Sequence, residues 1–173
     1  INKLISKSDN LFNGKFNTLT SLASENLISN SDLLIDSDSD NVPDGFEYGN
    51  ATDISLTNGI AKFTATAQYG YIRQTSPNLF NVVSGNTYYF YSKVKTTGLT
   101  TMLLIGIGQD TSIISDGNWQ FTSKIFTASS SYSGTGVRIN DVSTSGFTPI
   151  EVDYIGAYNV SDMIKQGVKN DNG

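Results

Sequence analysis

The chain has 173 residues, enough for one well-cored domain with tails but not for two. Only 16% of them are charged, the net charge is −5, and no basic stripe or Lys/Arg cluster occurs, so nucleic acid and membrane insertion are excluded as modes of partnership. Histidine and cysteine are absent, which removes the commonest general base, imidazole metal ligands and thiol nucleophiles and leaves only carboxylate chemistry for an enzyme.

Residues 1–25 scatter apolar side chains among Asn and Gly breaks and read as a connecting segment without a signal-peptide pattern. The opening at Ile1 rather than Met reads as a fragment or processed piece of a longer protein. No apolar run approaches the ~18 residues of a membrane-spanning helix. One domain is expected over 26–160, with 161–173 as a C-terminal tail or linker.

The stretch Asp36–Glu47 reads DSDSDNVPDGFE. Asp36, Asp38, Asp40, Asp44 and Glu47 stand at positions 1, 3, 5, 9 and 12 of a twelve-residue loop, and Val42 at position 7 offers its backbone carbonyl. That is the oxygen spacing Ca²⁺ uses, because a hard cation needs about 6–8 oxygens and alternate residues of a tight turn aim at one centre. Position 6, usually Gly, is Asn41, which tolerates a left-handed backbone. Neither flank carries a helical stripe, so the expectation is a structural calcium stapling a loop in a β domain; the competing reading is a solvated acidic turn.

From residue 26 onward, short runs of Val, Ile, Tyr, Phe and Thr are broken by Gly and Asn at roughly ten-residue intervals. Strands are expected at 27–34, 52–56, 60–66, 70–75, 87–96, 101–108, 119–127, 135–141 and 149–159, with turns at Asn58-Gly59, Ser84-Gly85-Asn86, Asp116-Gly117-Asn118 and Ser145-Gly146. No segment between 50 and 160 has a helical stripe. The expected fold is all-β: a two-sheet antiparallel β-sandwich of the jelly-roll, galactose-binding-domain-like kind.

Alternation assigns faces. Tyr88, Phe90, Ser92 and Val94 belong to the core, and Tyr89, Tyr91, Lys93 and Lys95 to the opposite side. Val137 and Ile139 point inward, Arg138 and Asn140 outward; Ile150, Val152 and Tyr154 share one face, and Glu151, Asp153 and Ile155 the other. Tyr89, Tyr91, Arg138 and Asn140 are therefore expected on an exposed sheet face. Sugars are held by aromatic rings against their C–H faces and by polar side chains at their hydroxyls, and Tyr69, Tyr71, Arg73, Tyr89, Tyr91, Gln109, Arg138 and Asn140 are the pool for such a site. Trp119, the single tryptophan, is expected in the core.

Four segments, in order and at the right spacing, resemble carbohydrate-binding modules of the family 4 and 9 type: ENLISNSDLLIDSDSDNVPDGF (25–46), SGNTYYFYSKVKTTG (84–98), DGNWQFTSKIFTA (116–128) and IEVDYIGAYNV (150–160). The resemblance implies a jelly roll that binds glycan without hydrolysing it and holds a structural calcium, with Asp153 of the closing strand as a candidate ligand in place of the 36–47 loop. Leu33 and Leu34 replace a Phe-Glu pair of the family, and Phe46 replaces its Trp. The Asn- and Thr-rich texture is similar to modules in phage tail, baseplate and receptor-binding proteins. This implies an extracellular or virion setting, a bacterial cell-wall or surface glycan as ligand, and other subunits of a larger assembly, a homotrimer among them. The alternatives are a spacer or oligomerisation module of a viral tail and an accessory module of a secreted glycoside hydrolase.

Overall fold

Period-two runs punctuated by Gly and Asn become strands when a second sheet covers their apolar side. The computed structural model describes residues 26–161, and twelve strands form among them. The flanks expected at 1–25 and 161–173 lie outside the described residues, Ser161 excepted. Sheet A has the order β1 (Phe46–Gly49), β4 (Tyr71–Gln74), β11 (Val137–Asp141), β7 (Thr100–Leu104), β8 (Gln109–Ile113). Sheet B has the order β2 (Ala51–Thr57), β3 (Ile60–Ala65), β12 (Pro149–Asn159), β6 (Thr87–Lys95), β9 (Trp119–Thr127). The strands β5 (Phe80–Val82) and β10 (Tyr132–Thr135) form a two-stranded ribbon. Every pairing is antiparallel, and the fold is the all-β jelly-roll sandwich expected.

The core lies between the sheets. Ile72, Met102, Leu104, Val137 and Ile139 of sheet A meet Ala61, Phe63, Phe90, Val94, Ile150, Val152, Ile155 and Ala157 of sheet B in one buried cluster. At one side Phe90 stacks on Phe126 (5.5 Å between centroids), and Tyr88 on Phe126 (5.8 Å). Offset aromatic pairs of this kind add to simple area burial. Asn58 and Gly59, at φ 51° and 72°, close the β2–β3 hairpin directly between Thr57 and Ile60. Both central positions of that turn need positive φ, which Asn-Gly supplies at least cost.

Several expected elements differ. Residues 27–34 form turns rather than a strand, with Asn30 and Leu33 at φ 52° and 56°. The segment is nonetheless anchored: Ile28 and Leu33 are buried, Leu27 N donates to Ala157 O at 2.8 Å, and Ile155 N donates to Ser31 O at 3.0 Å. It caps the part of β12 that lies beyond β3, which pairs only with Pro149–Val152. The run expected at 101–108 is a hairpin, because Gly106 and Gly108 (φ 81° and 70°) turn the chain after Leu104 and Gln109 starts β8. The strands β1, β5, β8 and β10 are not among the expected ones; each has five residues or fewer.

The largest correction concerns β12. A register shift between Val152 and Tyr154 inserts one extra residue opposite β6. A bulge reverses the facing of every later side chain. Ile155 therefore joins the main core, while Tyr154 moves to the outer side, opposite to the assignment from simple alternation. Trp119 is also not in the core: it pairs in register with Lys95 on the outer side of sheet B, with Lys93 Nζ 5.1 Å and Lys95 Nζ 6.0 Å from its ring centroid.

Candidate functional site

Register places the outward side chains of sheet A in two rows. One runs Glu47, Arg73, Arg138, Leu103, Asp110; the other runs Gly49, Tyr71, Asn140, Thr101, Ser112. Four expected saccharide residues, Tyr71, Arg73, Arg138 and Asn140, are thus immediate neighbours, and the exposed Tyr69 joins them from the turn before β4. Arg138 Nη2 donates to Tyr69 O at 2.6 Å.

Tyr71 is the centre of the group. A Cβ on Gly49 would come within 2.4 Å of its ring, so the phenol lies flat on bare backbone. The Arg138 guanidinium carbon sits 4.2 Å from the ring centroid and that of Arg73 5.0 Å away, both within cation–π range. Arg73 Nε donates to Glu47 Oε1 at 2.5 Å, and Tyr71 OH to the same oxygen at 3.4 Å. Asn140 faces outward but is buried, its Nδ2 donating to Thr101 Oγ1 at 3.0 Å while Oδ1 has no partner. Burial pulls the Arg138 guanidinium below its ordinary pKa, Tyr71 partly offsets this, and Arg73 adds to it. An open depression of about 420 Å³ adjoins the Glu47–Arg73 pair and is lined further by Thr75, Leu79 and Ile105.

This face offers guanidinium, phenol, amide and carboxylate groups around one aromatic ring, which suits hydrogen bonding to a polyhydroxylated ligand. Its two acids, Glu47 and Asp110, end the same row four strand spacings apart, about 19 Å, whereas glycosidic carboxylates work at ~5–9.5 Å.

The remaining expected saccharide residues lie elsewhere. Tyr89 and Tyr91 belong to the other sheet and are buried, at 8% and 2% exposure. They pack with Tyr154 and Tyr158 in a second cluster, where the Tyr91 and Tyr154 rings stack at 4.9 Å. The expectation that they share an exposed face with Arg138 and Asn140 is therefore corrected, because strand periodicity says which residues share a side but not which sheet the strand joins. Gln109 is opposite Leu104 on the core-facing side of sheet A. Sequence reasoning missed Gly49, whose role shows only in what its absent side chain makes room for, and gave Glu47 to the calcium loop rather than to Arg73.

In that loop, carboxylate oxygens of Asp36, Asp38 and Asp40 lie within 4.8 Å of one another. Asn30 closes its ends, with Nδ2 donating to Ile35 O at 2.8 Å and to Asp44 O at 3.1 Å, and Asp44 N donates to Ile35 O at 2.8 Å. Asn41 adopts φ 68°, the left-handed conformation expected of position 6. Asp36 Oδ2 accepts from Asn41 N at 3.1 Å, and Asp40 Oδ1 from Val42 N at 2.8 Å. No basic side chain pairs with the three aspartates among the described residues. The Asp38 carboxyl is held above its ordinary pKa by local desolvation, then by the charge of Asp40 and a hydrogen bond with Asp36. Asp44 and Glu47 stand outside this group, since Asp44 Oδ1 accepts from Ser37 N at 3.0 Å and Glu47 belongs to β1. Asp153 is outside it too, at the β12 bulge, accepting from Lys93 Nζ at 2.8 Å.

No protein-family model matches the sequence, and no curated protein matches it. Solved structures do. The arabinose-bound α-L-arabinofuranosidase MgGH51 superposes with a TM-score of 0.60 at 11% identity, over 79% of this chain and 26% of the enzyme, so this chain spans about a quarter of that protein's length. A CBM4 carbohydrate-binding module superposes with a TM-score of 0.53 at 16% identity, over 76% of this chain and 99% of the module. A family 29 carbohydrate-binding module gives a TM-score of 0.47 at 14% identity over 79% of this chain and 91% of that one. What the chain shares with the first two is the sandwich fold, across nearly the whole of the second.

Proposed function

We propose that this chain is a non-catalytic saccharide-binding module whose binding surface is the outer face of sheet A. The observation that carries this reading is the convergence of Tyr69, Tyr71, Arg73, Arg138 and Asn140, with Glu47, on one side of one sheet. A module serving only as a spacer has no use for two guanidinium groups held against a phenol there. The fold shared with a CBM4 module of nearly equal extent supports the same reading. The ligand is a cell-wall or surface glycan, met outside the cell or on a virion; a phage tail or baseplate is the setting suggested by the Asn- and Thr-rich texture. A second setting, an accessory module of a glycoside hydrolase, is favoured by the match to a quarter of an arabinofuranosidase.

The 36–44 loop is read as a structural calcium site. Asp36, Asp38 and Asp40 would hold the ion, and its charge would replace the repulsion that three unpaired carboxylates otherwise bear.

Glycan-array and cell-wall pull-down binding test the surface. Tyr71→Ala should reduce binding to a captured glycan at least about tenfold, ~1.4 kcal/mol, with the melting temperature little changed. Undiminished binding in that variant would rule out this face.

A further inference from the structure

Arg138 occupies the middle of sheet A, and no carboxylate among the described residues neutralises it. Directly across the strands it faces Arg73 on one side and Leu103 on the other. Arg73 already has Glu47, and no acid pairs with Arg138 among the described residues. Asp110, the next acid along the row, lies a strand beyond Leu103, two spacings or about 10 Å away. Like charges opposed across an antiparallel pair are destabilising. Although the chain has sixteen acidic residues and a net charge of −5, the described ones leave this pair half-compensated at the centre of a polar face.

The guanidinium is also held in place. It stacks 4.2 Å from the Tyr71 ring centroid, donates Nη2 to Tyr69 O at 2.6 Å, and keeps Nε buried without an acceptor. Stacking and the backbone bond orient a planar fork before any ligand arrives, and such a fork matches a carboxylate better than it matches a hydroxyl. Beside it, Asn140 retains an unpartnered carbonyl oxygen.

We propose that the glycan taken by this face is acidic, with a sugar carboxylate bound by Arg138 between Arg73 and Leu103 and neighbouring hydroxyls bound by Asn140 and Glu47. The inference rests on the saccharide-binding reading above and narrows it to uronate-like ligands. A carboxylate there makes the charges along the row alternate, from Glu47 through Arg73 and the ligand to Arg138. A neutral sugar leaves the arginine pair as it stands.

Isothermal calorimetry on the full chain tests this with oligogalacturonate, oligoalginate and polysialate, each beside its methyl ester. At least one acid should bind about tenfold or more tighter than its ester, and raising salt from about 50 to about 500 mM should narrow the gap. Arg138→Met should bring the acid down to the level of the ester, while Arg138→Lys, which keeps the charge but not the fork, should retain part of the preference. Leu103→Asp places a carboxylate directly opposite Arg138 and should abolish the preference even if Arg138→Met fails to fold. Equal binding of acid and ester, or a preference that survives Arg138→Met or Leu103→Asp, overturns the proposal and leaves the saccharide reading standing. Binding of neither form overturns the proposal, and the glycan array then decides whether the saccharide reading falls with it.

Discussion

The two outer faces of the sandwich carry the same short pattern, a tyrosine followed two residues later by a cation: Tyr71 and Arg73 on sheet A, Tyr91 and Lys93 on sheet B. In both, a glycine lets the ring lie on the sheet, since a Cβ on Gly49 would strike Tyr71 and one on Gly156 would strike Tyr154 and Tyr91 at 2.7 and 2.9 Å. They then diverge. On sheet B the ring is one of four packed tyrosines, Asn26 Nδ2 donates to Tyr154 OH at 2.9 Å, and Lys93 and Lys95 pair with Asp153 and Glu151. On sheet A the ring is half-buried between two arginines, of which only Arg73 has a carboxylate partner among the described residues. One face has become a second small core, and the other has stayed polar and open. Charge compensation and burial, rather than residue type, separate a structural tyrosine from a candidate ligand platform.

The comparison predicts unequal costs. Tyr91→Ala should destabilise the protein by ~3–5 kcal/mol, the range for losing a buried aromatic side chain, whereas Tyr71→Ala should act on binding and little on stability. Chemical denaturation of both variants checks this, and a Tyr71→Ala loss as large as that of Tyr91→Ala would erase the distinction.

The second effect is placed at the acidic loop, which belongs to neither face. With free calcium at ~100 times Kd, binding to the native state adds ~2.7 kcal/mol. A chelator should lower the melting temperature, Asp38→Ala should abolish the response, and Asp153→Ala should preserve it. A chelator response lost instead in Asp153→Ala would move the ion to the bulge of β12, and indifference of the unmutated protein to chelator would remove it altogether.

Alkaline titration sharpens the contrast further. Burial raises the pKa of Tyr89 to about 12, and burial followed by the neighbouring phenols raises those of Tyr91 and Tyr158. A phenol whose folded-state pKa is raised contributes stability that is whole below the unfolded value of ~10 and is lost as pH climbs through the folded value. Stability should therefore fall from about pH 10 upward, together with delayed tyrosinate absorbance. Tyr89→Phe should lessen that fall.

The smallest expected change tests the open face without touching a polar group. Gly49→Ala should lift the Tyr71 ring off the sheet and weaken glycan binding several-fold, while costing no more than ~1 kcal/mol in stability, because the displaced ring lies at the surface. A variant with unaltered binding would mean that Tyr71 need not lie flat.

Much of the scaffold was legible in the chain itself. Period-two runs separated by Asn-Gly and Gly-Asn turns specify strands, since those turns require positive φ and the runs bury one side. The facing of Tyr88 to Val94 and of Val137 to Ile139 followed from that period alone. The pairing of strands into sheets did not, because alternation carries no information about distant neighbours. That is why Tyr89 and Tyr91 were grouped with Arg138 and Asn140, although they lie on opposite sides of the molecule. Nor did local pattern reveal the bulge at Asp153, which moves Tyr154 outward and Ile155 inward, or the register that sets Glu47 opposite Arg73 in β1 rather than in the acidic loop. Local sequence determined which segments extend and where they turn; tertiary register decided which charges meet, which tyrosines are covered, and hence which face is left polar and open.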